Sequence, residues 1–367
     1  MAVAENPDNA ASAGIVSVPA TDLPWWDISR IPAAYWVVGV ILVILPAFSS
    51  NFVLFQIFGW SLILGMIALS LMFLAGYGGM VSLVQMTVAG VAAYMMAIFG
   101  TSAIDTISVG WSWWITIPIA IIIAMIFGTV SGALAVRTEG IYTIMITLAI
   151  AAAFFYFARQ NYVLFNGFSG FNQVLPPHVF GVDWRAPTPF YYMALFWAAA
   201  AFLAVLYVSR SPFGLALQGI RDNPRRMAAL GFNVTAHRIA AYTFASFIAA
   251  IGGILLVWLN GQISPGAVSV GPAIDILVIA VVGGIRHPIG PFIGAIIYAI
   301  LRTFALDILV ALGLAGERFQ LLIGLGFLAI VFWSPDGVLG LWERWRQRTG
   351  RRDPLTGETT GDGGEGG

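Results

Sequence analysis

Ten apolar stretches, each long enough or nearly long enough to cross a bilayer, constrain this chain more than any other feature. They run roughly 33–49, 53–75, 80–99, 112–135, 141–158, 190–208, 239–260, 271–286, 289–309 and 318–334. A spanning helix needs about 20 mainly apolar residues, because ~30 Å of hydrocarbon is crossed at ~1.5 Å per residue. The second and fourth stretches are the plainest. The third and eighth are interrupted by Gly, Ser, Thr, Gln or Asp. Apolar residues make up 59% of the chain and charged residues 9%, against about 45–50% and 25% in soluble domains. Too little polar surface remains to dress a water-soluble fold of this size. The pattern predicts an all-α polytopic membrane protein of about ten transmembrane helices.

Arginine sets the expected orientation, since basic residues accumulate in cytoplasmic loops. The connection at 209–238 carries Arg210, Arg221, Arg225, Arg226 and Arg238, and the C-terminal end carries Arg344, Arg346, Arg348, Arg351 and Arg352. Four spans lie between them, so both can be cytoplasmic. Of the 17 arginines only Arg159, Arg185, Arg302 and Arg318 then fall elsewhere, which leaves thirteen inside. Removing one weak helix would break this agreement. Residues 1–32 are expected as a cytoplasmic, disordered lead-in. Acids and no basic residue occupy positions 1–29, unlike a secretory signal. The transmembrane domain is expected over 33–345, with an outer loop at 159–189. Trp184 and Tyr191 suit a membrane interface there, and Pro176, Pro177, Pro187 and Pro189 argue against a regular helix. A Gly/Glu/Asp-rich tail at 346–367 is expected to be disordered.

Several function classes are excluded or lose support. The chain has no lysine, so no GxxxxGK[ST] phosphate loop can exist. No cysteine is present, which removes thiol catalysis and Cys-ligated zinc. His178, His237 and His287 fall in three different loops. No catalytic, metal or cofactor site is expected. A formal net charge of zero gives a nucleic-acid partner no electrostatic support. The expected surroundings are membrane lipid.

Gly78-Gly79 ends one span and is followed by an apolar run reaching Ala93-Tyr94. Gly283-Gly284 ends another, with a run reaching Ile297-Tyr298. In the expected topology both pairs face the cytoplasm. This suggests two parallel structural repeats, or the ordinary enrichment of glycine at helix ends.

The 209–238 connection is long for a loop between spans. Asp222 or Asn223 can cap a short helix with Pro224 at its first position and Gly231 just past its end. With Met227, Ala229 and Leu230 for contact, such a helix suits docking into a groove of another protein. The alternative is a plain basic loop.

Residues 209–233 resemble the signature loop of the branched-chain amino-acid ABC permease family (the LivM type). The likeness rests on Ser211-Pro212-Phe213-Gly214, Ala216-Leu217, Ile220-Arg221-Asp222-Asn223 and Ala229-Leu230-Gly231-Phe232-Asn233. Downstream, Ile263-Ser264-Pro265, Ile274-Asp275-Ile276-Leu277, Gly283-Gly284 and Gly290-Pro291 with Gly294-Ala295 are similar to further family motifs. Upstream, Gly76-Tyr77-Gly78-Gly79 with Ser82-Leu83, and Arg137 to Tyr142, resemble two more. The resemblance covers about residues 60–340. It implies a permease subunit of an ATP-driven importer in the bacterial inner membrane, with both termini cytoplasmic. Implied partners are cytoplasmic ABC ATPase subunits, a second related permease, and a periplasmic or lipid-anchored solute-binding protein. The implied solute is a branched-chain or other apolar amino acid, or a small amide such as urea. Arg221, Asp222, Asn223, Ala229 and Gly231 are the implied ATPase-coupling residues. Arg226, Met227 and Ala228 depart from the family's usual small and acidic residues. Met80, Val84 and Gln85 also depart, where the family usually has Gln, Gly and His, which points to a different solute.

Ser82, Gln85 and Thr87 in the third stretch, and Thr143 and Thr147 in the fifth, are candidates to line a solute path. They serve equally well for interhelical hydrogen bonding. Asp275 and Arg302 come out at similar depth on antiparallel neighbours and are expected to form an intramembrane ion pair. Asp307 is a rival partner for Arg302. An ATPase-independent secondary transporter or channel is the alternative function. A membrane-bound enzyme would need clustered His, Asp or Glu, and a structural scaffold would need no broken helices.

Overall fold

The computed structural model describes residues 33–311, apart from 105, 139, 178–180 and 182, together with residue 324. The lead-in, the tail and all but one residue of the tenth expected span lie outside the described residues, as does the side chain of Asp307. Helices α1 (Ala33–Ile44), α2 (Trp60–Met72), α3 (Gln85–Phe99), α4 (Trp113–Ala135), α5 (Ile141–Gln160) and α6 (Pro187–Arg210) follow in order. Then come α7 (Pro212–Asp222), α8 (Pro224–Ala229), α9 (Val234–Asn260), α10 (Val270–Gly283) and α11 (Gly290–Ala311). Wide π turns, Val53–Gly59 and Phe73–Tyr77, extend α2 at both ends into a unit of 25 residues. That unit and α4, α5, α6 and α9 are each long and apolar enough to cross a membrane, and α3, α10 and α11 are shorter apolar helices. The chain is an all-α polytopic membrane protein.

The α2 unit is 89% buried over its most apolar window and α9 72%, against 22% for α5. With α3, also almost wholly buried, they form the centre. The α4 helix packs on α3 and α9, and α10 and α11 pack on α2. Lipid tails are as apolar as leucine, so close packing rather than water exclusion holds such helices together, and small residues belong at the contacts. Along α4 the buried positions include Ala120, Ala124, Gly128, Gly132 and Ala135, while Ile122, Ile126 and Val130 point outward. One such close approach joins α9 to α3, where a Cβ on Gly253 would lie 1.9 Å from the Ala89 carbonyl oxygen.

At one end of the bundle the loops after α3, α5 and α9 are tied together. Strand β1 (Phe171–Asn172) pairs antiparallel with β2 (Gln262–Ile263), and the Ala103 amide donates to the Asn172 carbonyl at 2.9 Å. Helices α7 and α8 lie at the opposite end, because α6 runs back along the bundle before them. The α2 unit and α10 also terminate at that end, at Gly79 (φ +67°) and Gly284 (φ +113°). The two breaks touch: a Cβ on Gly76 would sit 2.5 Å from the Ile285 carbonyl oxygen. Both glycine pairs therefore close helices of the same sense, side by side, and α3 and α11 return from them. A parallel duplication requires this arrangement.

Candidate functional site: a capped connector, a broken helix and two cavities

The connector is two helices rather than one. Ser211 caps α7, accepting from the Gly214 amide at 3.2 Å, with Pro212 in the first position. Asn223 caps α8 in the same way, accepting from the Arg226 amide at 2.9 Å, with Pro224 next. Gly231 (φ +90°) ends α8. Its amide donates to the Ala228 carbonyl, and the Phe232 amide to that of Met227, a closed C-terminal turn of the kind only glycine adopts without strain. Asn233 then caps α9. Asn223 and Gly231 thus spend their chemistry on the shape of the connector. Met227, expected to face a partner, instead packs back over Gly219 of α7, since a six-residue helix must hold its neighbour. What α8 leaves outward is Arg225, Arg226, Ala228, Ala229 and Leu230.

Arg221 turns the other way. Its Nη1 donates to the Gly76 carbonyl in the final turn of the α2 unit, and its Nε to Asp222 Oδ1 at 2.9 Å. Its stem lies on Gly79, where a Cβ would come within 2.7 Å of Arg221 Cγ. A cation on the last carbonyls of a helix is favourably placed. The connector is therefore attached directly to the point where α2 breaks.

Beyond the break the expected span at 80–99 becomes helical only at Gln85. Met80, Ser82, Leu83 and Val84 are buried but irregular, and unpaired backbone at such depth is costly. Thr147 of α5 answers this, accepting from the Leu83 amide at 3.1 Å while donating to its own helix carbonyls. Ser82 Oγ lies 3.4 Å from the Val84 amide, and Ser70 donates to Gln85 Oε1 at 3.3 Å. Thr143 donates to the Thr138 carbonyl. Of the five path candidates, Ser82, Thr143 and Thr147 are thus engaged in holding backbone. Gln85 Nε2 and Thr87 Oγ1 are buried without a hydrogen-bond partner among the described residues.

Two cavities approach this region from opposite ends. The one beside the connector, about 680 Å³, is lined by Gly76, Tyr77, Gln218, Arg221, Val281 and Arg286. The other, about 390 Å³, opens among the tied loops and reaches Leu64, Met86 and Ile279. Met86 lies between Gln85 and Thr87. On α10 the cavities come within two residues of each other, about 3 Å of rise, whereas on α2 the buried stretch from Met66 to Leu74 separates them. Asp275 and Arg302 both line the second cavity. Their expected pairing is not a direct contact, although the Arg302 charge still acts on Asp275. Asp275 Oδ2 accepts from the Tyr298 hydroxyl at 2.9 Å, the Arg302 guanidinium stands 4.4 Å from the Trp60 ring centroid, and no ion pair within 4.0 Å joins the two. Depth along antiparallel helices brought them to one cavity. Which way each side chain turns depends on neighbours that depth does not specify.

Residues 53–331 match the family described as the permease component of branched-chain amino acid transport systems. The chain belongs to this family. Among curated relatives, the high-affinity branched-chain amino acid transport permeases LivM of Salmonella typhimurium and Escherichia coli are 21% and 22% identical over 253 residues. These alignments cover 63% of this chain and 58% of each relative, so the chain spans less than two thirds of their length. The probable LivM of Methanocaldococcus jannaschii is 27% identical over 60% of this chain and 67% of that protein, and the ribose import permease RbsC of Haemophilus influenzae 21% over 59% and 67%. No solved structure matches.

The family range begins at Val53, the start of the α2 unit, and leaves α1 outside. Among the motif residues of the connector are three helix caps, Ser211, Asn223 and Asn233, together with Pro212 and Gly231. Sequence reasoning missed α7, whose Ser211-Pro212 start repeats the Asn223-Pro224 signal, and the inward role of Arg221. It also missed Tyr298 and Trp60, for which spacing gives no warning beyond Tyr298 lying one helical turn before Arg302.

Proposed function

We propose that this chain is the permease subunit of an ATP-driven importer of the bacterial inner membrane, carrying a branched-chain or other apolar amino acid, or a small amide such as urea. In this reading the connector end faces the cytoplasm, where the outward face of α8 meets an ABC ATPase subunit. A second permease completes the path, and a binding protein delivers solute at the end bearing β1 and β2. The observation that carries the reading is Arg221. It joins the connector to the break after α2, so a push on α8 reaches the irregular segment between the two cavities. A cavity at each end with a closed waist suits alternating access. The LivM relatives favour amino acids, whereas RbsC shows the wider group taking a sugar.

The test is uptake of radiolabelled leucine into vesicles bearing the complete transporter. The expected result is uptake that requires this chain, ATP and the ATPase together. Uptake by this chain without any ATPase would overturn the reading in favour of a secondary transporter or channel.

A further inference from the structure

The cavity at the β1–β2 end is lined by an acid and a base that make no direct ion-pair contact with each other. Asp275 and Arg302 sit within α10 and α11, where an unpaired charge is costly. Each is nonetheless held by a neutral aromatic group: Tyr298 donates its hydroxyl to Asp275, and Trp60 offers its ring face to Arg302. The ring contact uses none of the guanidinium's five N–H donors as a conventional hydrogen bond, and their fork matches a planar acceptor such as a carboxylate. Between them lies a space of about 390 Å³, within the ~300–1,000 Å³ of small-molecule sites. Its deep wall is apolar, with Met86, Leu256 and Ile279, and its rim is polar, with Gln262 and Ser264.

We propose that this cavity is a binding site for a free amino acid with an apolar side chain. The ammonium of the solute faces Asp275, its carboxylate faces Arg302, and its side chain lies on the Met86–Leu256–Ile279 wall. A zwitterion supplies each side chain with the direct counter-charge contact that the other does not make. A neutral solute such as urea or a sugar leaves both charges unmatched. The proposal rests on the importer reading and narrows it to one solute class and one place of contact.

The experiment uses the full chain in lipid nanodiscs and ligand-detected NMR titrations with leucine, isocaproate (no amine), isopentylamine (no carboxylate), urea and ribose. Wild type is expected to bind leucine in preference to urea and ribose. Asp275→Asn should weaken leucine at least about tenfold and abolish isopentylamine binding while keeping isocaproate. Arg302→Gln should show the reverse. Because each variant retains one analogue, a folding defect cannot imitate the pattern. Absence of leucine binding by wild type, equal binding of urea or ribose, or loss of neither or both analogues in a variant would overturn the proposal. Leucine uptake by the complete transporter separates the two claims. ATP-driven uptake that persists in both variants sinks this site and leaves the importer standing. ATPase-independent uptake sinks the importer reading, and the binding profile still decides the site.

Discussion

Asn223 and Gly231 act within the connector, on its shape. Asn223 satisfies the Arg226 amide in the first turn of α8, and removing such a cap costs about 1 kcal/mol, a large fraction of what holds a six-residue helix. We expect Asn223→Ala to lower ATP-driven uptake several-fold with only a small shift in the melting temperature of the purified chain, and Asn223→Asp, which can still accept, to restore uptake. Equal uptake by all three would contradict a shaping role. These residues were legible in the sequence because a cap, the proline after it and the closing glycine are local signals. Arg221 was not legible in the same way. Its partner carbonyl at Gly76 lies 145 residues away, and nothing near Arg221 in sequence marks it as a link rather than a surface charge. The same limit applies to Asp275, whose depth could be counted but whose hydroxyl donor, Tyr298, could not.

At the scale of elements, the helices came through wherever an apolar run was continuous, as in α4 and α9. The reading failed at the third stretch, where hydropathy continues but helix does not. Residues 80–84 are apolar enough to pass for a span start, yet they are irregular and held by tertiary hydrogen bonds. Thr147 is the clearest of these. Thr147→Val would leave the buried Leu83 amide without its acceptor, a loss of about 1–3 kcal/mol. The expected result is a clear fall in melting temperature that Thr147→Ser largely reverses. A valine variant of unchanged stability but altered solute preference would instead make Thr147 a path residue. The α7 helix was missed for a different reason. Its buried Ala216, Leu217 and Ile220 do follow a helical spacing, but the segment is too short and polar to register as a span and was absorbed into the loop.

The whole molecule is organised by its two ends. One carries the paired strands and the smaller cavity; the other carries the connector, both helix breaks and the larger cavity. With no cysteine in the chain, single cysteines can report on each end without interference. Ala229→Cys on α8 is expected to react with a membrane-impermeant maleimide only when the inner face is exposed. Phe168→Cys, at an outward-facing side chain between α5 and β1, should react only from outside. Labelling of both from one side would contradict the topology. The proposed function joins these ends: in it, closure of an ATPase subunit travels through Arg221 into the break after α2. The most direct measurement is the ratio of solute transported to ATP hydrolysed in proteoliposomes holding the complete transporter, with wild type compared against Arg221→Ala. The account predicts hydrolysis largely retained and uptake reduced at least about tenfold; an unchanged ratio would contradict it.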